Sequence, residues 1–376
     1  MPSQVSLTII IVGAGPAGNT AAAALASDGH QVTVLERNPQ LQTRGGNLIV
    51  QPSAVKCLNL IGVAESLDKV AVETEQNDKI LVVAEDGSEY LADMVIGADG
   101  IKSRVQELMS PGHNMSPIMT PECIFQTEVD IGRVQKDPVA APLGVRSHHL
   151  MFGPGLYCVG RPTAHGTVRI LLCNLNYGLP SEDADLGGTW NSDGNPEEIR
   201  EMFKGFGAPL RAYIECVIRG SYPIDKWHIA TAPKMKTWLG FGGRCILLGD
   251  AAHAMLPHTA QGVSQGIEDG LALSTALRWL DKRENLSAVL GKWEALRKPR
   301  AEKMFDVGHQ NIAMFTLPDG PEQEARDQKL LATGFTGQPT DWESIQMDEN
   351  APRMTPQYTK WAMCYDVVAE TNKIFT

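Results

Sequence analysis

Residues 7–18 read LTIIIVGAGPAG. Leu7 to Val12 is a continuous apolar run, as expected of a parallel strand buried on both faces. The glycines follow at once. Asn19 to Ser27 then reads as an alanine-rich helix closed by Asp28-Gly29, and Gln31 to Leu35 as a second strand ending in Glu36-Arg37. This is a βαβ unit. In Gly13-x-Gly15-x-x-Gly18 each glycine has a separate physical reason. Gly13 permits a tight turn, Gly15 lets the backbone approach a pyrophosphate, and Gly18 lets the helix pack close to the strand. The helix start carries about +0.5 charge and free N–H groups facing the phosphates. Glu36 lies eighteen residues past Gly18, where a carboxylate at the strand end accepts both ribose hydroxyls. The competing reading is a glycine-rich turn with no ligand. The strand before, the helix after and the acid at the right distance weigh against it.

Outward from this unit, a helix is expected at about 53–67. Short strands are expected at Val70–Glu73, Lys79–Glu85 and Glu89–Asp93, and an apolar strand at Met94–Ala98 running into Asp99-Gly100. From about Pro111 to Leu239 short alternating runs, such as Tyr157–Gly160 and Thr167–Asn174, indicate an antiparallel sheet, and 187–196 (GGTWNSDGNP) reads as a loop. Parallel-strand texture returns at Arg244–Gly249. A long helix is expected from Gln261 to Lys282, with Val263, Ile267, Leu271, Leu273, Leu277 and Leu280 largely on one stripe. More helix is expected at Leu286–Phe315. The fold class is therefore α/β: a discontinuous Rossmann-like domain with a parallel sheet (1–110 and 240–316), an inserted antiparallel-sheet substrate domain (111–239) and a C-terminal segment (317–376) expected to be helical or loosely packed.

Composition narrows the function. The 376 residues carry a net charge of −11, with 43% hydrophobic and 20% charged residues, so the chain is globular. An acidic chain repels phosphate backbones and anionic lipid, which argues against nucleic-acid and membrane-surface roles. The seven cysteines, at 57, 123, 158, 173, 216, 245 and 364, are odd in number and widely spaced without a CxxC pair. That pattern fits neither a disulfide framework nor a zinc site, and no metal is expected. The N-terminus lacks a signal-peptide pattern, and no stretch reaches 18 apolar residues, so no membrane span is expected. The expectation is a soluble, reduced, cytoplasmic protein.

Two further motifs end apolar strands in an acid. Gly249-Asp250-Ala251-Ala252-His253 is followed by Pro257 and Gln261-Gly262. An acid directly after a buried strand sits at the carboxyl edge of the sheet, where open α/β folds bind ligands, so Asp250 would accept a sugar or ribityl hydroxyl. It fits an N-cap equally well. In Gly97-Ala98-Asp99-Gly100, Asp99 is a ligand candidate or a turn former.

Together these motifs resemble the FAD-dependent aromatic-ring hydroxylases, the single-component flavoprotein monooxygenases that include salicylate-hydroxylase-like enzymes and fungal biosynthetic oxygenases. The matching residues are Gly13, Gly15, Gly18 and Glu36; GGNLIVQPSAVKCLNLIGV at 45–63; GADGIKSRV at 97–105; WHIATAPKMKTWLGFGGRCILLGDAAHAMLPHTAQGVSQGIEDGLAL at 227–273; and Leu296-Arg297-Lys298-Pro299-Arg300. The resemblance covers about 1–110 and 225–310 and implies an enzyme using FAD, with NAD(P)H and O₂ as co-substrates. It would hydroxylate or epoxidise an aromatic or polyketide-like small molecule through a flavin C4a-hydroperoxide, in secondary metabolism. It implies that Gly13, Gly15, Ala17, Gly18, Glu36, Arg37 and Gly46 bind the cofactor, with Glu36 on the adenosine ribose. Gly249 and Asp250 would hold the ribityl chain, and Pro257, Gln261, Gly262 and Val263 would lie against the isoalloxazine. Asp99 and Gly100 are associated with both FAD and NAD(P)H. A related flavin halogenase would need a WxWxIP signature, which the sequence lacks.

The chain departs from that family in one main place. Several dozen residues expected near Lys69–Val70, holding a helix with a flavin-contacting Arg and one strand of the parallel sheet, have no counterpart. FAD is therefore expected to bind, less tightly, and the alternative is a shortened, catalytically impaired flavin-binding homologue. Gln106 stands where Arg is frequent, Ala260 where Gly is common, and Ser264 where Asn is common. For catalysis the candidates are His228, Arg169 and Tyr222, since a base that deprotonates a phenol makes its ring more nucleophilic. His148, His149, His165 and Arg146 are similar guesses. His253, Trp227 and Trp238 read as structural.

Overall fold

The structure, a computed structural model, describes residues 4–38, 50–61, 80–83, 87–143, 148–179, 191–332, 343–353 and 355–376. Gly46, Arg146, the joint at Lys69–Val70, the strand expected at Val70–Glu73 and the first part of the 187–196 loop lie outside the described residues. The chain divides into two compact units. The larger comprises Met1–Ile118, Thr231–Gly308 and Thr333–Thr376; the smaller comprises Met119–Ala230 and His309–Ala332.

The larger unit opens with β1 (Thr8–Val12), α1 (Pro16–Ser27), β2 (Gln31–Leu35), α2 (Pro52–Leu60), β3 (Ile80–Val83), β4 (Glu89–Ala92), β5 (Met94–Gly97) and α3 (Arg104–Met109). Ile9, Ile10 and Ile11 are buried in succession, because both faces of β1 are covered. Strands β1, β2 and β5 pair in parallel, with β1 between the other two. Outermost among the described strands on its side of the sheet is β2, which alternates exposure, with Gln31 and Thr33 in solvent.

The smaller unit holds β6 (Ile118–Asp130), α4 (Ile131–Lys136), β7 (His149–Gly153), β8 (Leu156–Pro162), β9 (Thr167–Asn174), β10 (Asn191–Asp193), α5 (Pro196–Phe203), α6 (Ala208–Ile218) and β11 (Asp225–Thr231). The strands lie in the order β10-β11-β6-β9-β8-β7. Period-two alternation gives the sheet two apolar faces. Phe125, Ile170 and Leu172 pack against Ile199 and Phe203 of α5 and Tyr213 of α6. Ile124, Tyr157 and Cys173 point the other way, with Phe152, Ile229 and Phe315 beside them.

The chain then adds β12 (Leu239–Gly240) and β13 (Cys245–Leu247), which complete the order β12-β13-β5-β1-β2. Next come α7 (Asp250–His253), α8 (Gly262–Leu277), α9 (Leu286–Phe315), α10 (Pro321–Ala332), α11 (Pro356–Met363) and α12 (Val367–Lys373). Helix α8 differs from the one-striped helix expected: fourteen of its sixteen residues are buried, Glu268 and Asp269 included. The polar face is buried because Arg297 and Arg300 of α9 meet it. The polar C-terminal segment also holds aromatic anchors, Tyr358 and Trp361, which bury against Met304 and Val307.

Candidate functional site

All the elements that position the predicted dinucleotide residues belong to the larger unit. Gly13 adopts φ 105°, and a Cβ there would stand 2.4 Å from the Ala98 carbonyl oxygen. A Cβ on Gly18 would stand 2.1 Å from the Gly13 carbonyl oxygen. Both glycines therefore have reasons inside the protein. Gly15 has none: its backbone is extended at φ −70° and ψ 179°, and a Cβ there would meet nothing within 4 Å. The absence of a side chain at Gly15 leaves the approach to the start of α1 open, as a pyrophosphate there would require.

Glu36 stands at the end of β2 beside this turn. Its Oε2 accepts the Ala14 N–H at 2.9 Å, and its Oε1 accepts the Asn38 N–H at 3.0 Å. The Ala14 bond, chiefly, holds the carboxyl below its ordinary range. Asn38 Nδ2 also donates to Oε1 at 2.9 Å, so exposed, ionised Glu36 keeps its last lone pair on Oε2 for a ribose hydroxyl. Arg37 is exposed next to it.

The second acid motif meets the first. A Cβ on Gly249 would lie 2.9 Å from the Ala17 Cβ, and one on Gly266 of α8 would lie 3.0 Å from the same atom. The Gly13–Gly18 turn and the Gly249-Asp250 turn thus abut at the carboxyl ends of β1 and β13. Gly249, not Asp250, is the N-cap of α7. Among the described residues no hydrogen bond reaches the Asp250 carboxylate. That side chain is exposed, yet crowding by surrounding protein raises its pKa. An open but desolvated carboxylate without donors suits a ligand that brings hydroxyls. A Cβ on Gly262, the first residue of α8, would lie 4.0 Å from Asp250 Oδ1, so this carboxylate stands at the start of that helix.

Asp99 is used differently. Its Oδ1 accepts from Ser103 Oγ at 2.6 Å and its Oδ2 from the Arg104 N–H at 2.7 Å, so both oxygens serve the start of α3. Gly100, at φ 80°, faces open space. Pro257 is exposed and Val263 half-buried, whereas the Gln261 side chain is buried and donates to the Ala362 carbonyl oxygen at 3.1 Å.

Behind the Gly249 turn lies a buried ionic network for which the local sequence carries no signal. Asp269 accepts from the Gly249 N–H at 3.0 Å and from Arg297 Nε at 2.9 Å, and it bonds His253 Nε2 at 2.6 Å. Glu268 accepts from Arg297 at 2.9 Å and from Arg300 at 2.8 and 3.1 Å. Burial opposes ionisation of both acids, but Arg300 and Arg297 hold Glu268 below its ordinary pKa, and His253 and Arg297 do the same for Asp269. The network fixes the turn from which Asp250 projects.

The three catalytic candidates lie in the smaller unit and are not brought together. Strand alternation places His228 with Lys226, Phe125 and Tyr177, its ring 5.7 Å edge-on from Tyr177. Burial, and then the Lys226 ammonium, hold its imidazole below the usual pKa. Arg169 alternates to the opposite face of the sheet and pairs with Glu128, which also accepts from Thr167 Oγ1 at 2.8 Å. Tyr222 donates to Asp130 at 3.0 Å, a bond that raises its pKa. Arg169 and His228, on opposite faces, do not reach one substrate molecule together.

Comparison with known proteins agrees with this geometry. Residues 2–117 match the pyridine nucleotide-disulphide oxidoreductase family, and residues 222–307 match the FAD binding domain family. The chain is 25% identical to the FAD-dependent monooxygenase atnJ of Arthrinium sp over 406 residues, covering 91% of this chain and 93% of that protein. It is 28% identical to a salicylate hydroxylase of Pseudomonas putida over 75% of this chain and 64% of the enzyme. The solved salicylate hydroxylase substrate complex superposes with a TM-score of 0.77 at 20% identity, over 100% of this chain and 99% of that one. By sequence and fold together, the chain is similar to FAD-dependent monooxygenases, salicylate hydroxylase among them, and it carries a match to the FAD binding domain family.

Proposed function

We propose that this protein uses NAD(P)H and O₂ to hydroxylate or epoxidise an aromatic or polyketide-like small molecule, in secondary metabolism and in the cytoplasm. The observation that carries the reading is the meeting of the Gly13–Gly18 turn with the Gly249-Asp250 turn across Ala17. An extended dinucleotide needs both ends on one sheet edge. Seven free cysteines, six of them buried, support a reducing compartment.

In this reading the N–H groups at the start of α1 bind the pyrophosphate, and Gly15 permits its approach. Glu36 accepts a ribose hydroxyl, and Asp250 accepts a ribityl hydroxyl. The loop Pro257–Gly262 and the start of α8 lie against the ring system. Asp99 and Gly100 serve at the same edge, where Asp99 acts through the start of α3. Bound FAD supplies electron transfer from NAD(P)H and the activation of O₂. The protein's part is to orient the substrate and keep water away.

The test is direct. Protein purified without added flavin is passed over a sizing column, then reconstituted with FAD, and its visible spectrum is followed on adding NADH or NADPH. NAD(P)H consumption that rises with one of a panel of phenols, with product heavier by one oxygen atom, is the expected result. A protein that takes up no FAD would sink the reading. One observation favours a second reading, an impaired flavin binder: the 406-residue alignment is longer than the part of this chain it takes in, so the relative carries residues this chain lacks. Bound flavin that neither NADH nor NADPH reduces would select it.

A further inference from the structure

Ala260 lies between the 3₁₀ turn Pro257–Thr259 and the first turn of α8, with a left-handed backbone at φ 53° and ψ 35°. Among the described residues the only other non-glycine residue with positive φ is Phe241. A residue with a Cβ holds that conformation only where its surroundings over-determine it. Here they do. Gln51 Nε2 donates to the Ala260 carbonyl oxygen at 3.1 Å, and the Gln51 N–H donates to Ser264 Oγ at 3.0 Å. On the other side, Gln261 Nε2 donates to the Ala362 carbonyl oxygen at 3.1 Å. Gln51, Gln261 and Ser264 are 7%, 2% and 0% exposed, so water does not compete for these bonds. The Ala362 carbonyl is itself held by Arg300 at 3.2 Å, whose guanidinium forks onto Glu268. The segments involved, around residues 51, 260 and 362, are far apart in sequence and are brought together at this turn.

We propose that Gln51 and Gln261 are positioning residues that brace Ala260 in the left-handed conformation and thereby set how the Pro257–Gly262 loop presents itself to the flavin. This rests on the FAD reading above. The brace and the strain are two halves of one device. With the brace intact, alanine is held where it is disfavoured. With the brace broken, alanine relaxes to negative φ and carries the loop with it. Glycine populates both regions, so it tolerates the braced geometry without strain and revisits it when the brace is gone.

A mutant cycle tests the coupling. Gln51→Met keeps length and burial but removes the donor, and Gln261→Met is the second variant should the first not fold. Each is made with and without Ala260→Gly. Two quantities are read: the FAD dissociation constant by flavin fluorescence, and the melting temperature of the flavin-free protein. Gln51→Met is expected to raise the dissociation constant about tenfold, and Ala260→Gly in the same chain to return it to within about twofold of the parent. Ala260→Gly is expected to raise the melting temperature of the parent and to add little in the Gln51→Met background, where the strain has already been released. Equal effects of Ala260→Gly in both backgrounds would overturn the proposal. Should the parent take up no FAD, the FAD reading fails, and the melting cycle alone decides whether the brace exists.

Discussion

Two alanine substitutions three residues apart should separate packing from ligand approach. At Gly18 the added methyl would stand 2.1 Å from the Gly13 carbonyl oxygen, and Gly13 cannot retreat, since its own Cβ position lies 2.4 Å from the Ala98 carbonyl oxygen. Backbone is driven against backbone, and α1 must lift away from β1. Overpacking of this kind costs about 1–3 kcal/mol, and the lack of a flexible neighbour argues for about 3. At about 2–4 °C per kcal/mol for a unit of this size, Gly18→Ala should lower the melting temperature by about 6–12 °C. At Gly15 the methyl meets nothing within 4 Å, and the backbone conformation is open to any residue. Gly15→Ala should leave the flavin-free melting temperature unchanged or slightly raised, by up to about 1 kcal/mol through the unfolded chain. It should nevertheless weaken FAD by about tenfold or more, because the methyl occupies the approach of the pyrophosphate. Thermal unfolding of the flavin-free proteins and FAD titration by fluorescence give the two readouts. Gly15→Ala that binds FAD like the parent, or that melts as low as Gly18→Ala, would refute the reasoning.

Other consequences are equally open to measurement. Because crowding raises the Asp250 pKa in the flavin-free fold, ionised Asp250 is disfavoured there until hydroxyl donors arrive. FAD affinity should therefore fall as pH drops through that raised value. Asp250→Asn should bind more weakly at neutral pH and lose this acid-side dependence; an unchanged pH profile would count against the assignment. Arg297→Met strips the buried Asp269 and Glu268 of a shared partner and should cost about 3–5 kcal/mol, read by thermal unfolding. Arg297→Lys should recover little, since one ammonium cannot replace the guanidinium fork, and a Met variant melting within about 2 °C of the parent would contradict this. Burial pushes the Cys57, Cys158 and Cys245 thiols up to about 12. Thiol reagents near neutral pH should therefore label Cys364, the one cysteine not buried, and reach the others only on unfolding, as mass spectrometry of labelled peptides would show.

The local grammar of the site was legible in the sequence. The apolar run before Gly13 determines a strand covered on both faces, and the glycine spacing determines a turn and a close helix, because these depend on residues a few positions apart. The inserted sheet was legible for the same reason: alternation along Thr167–Asn174 is a property of the strand itself, and the strand spans those residues. What the tertiary structure decided is how distant residues divide the work. Periodicity read α8 as a helix with one buried stripe, yet its acids are buried too, because arginines about thirty residues later supply their counter-charges. Asp250 and Asp99 look alike in sequence, each following an apolar strand. Only the fold leaves the first without a donor and commits the second to α3. The left-handed turn at Ala260 depends on Gln51 and on a carbonyl a hundred residues further along. A pattern within one element is written in that element, whereas a desolvated charge or a strained turn survives only through partners that the folded chain brings to it.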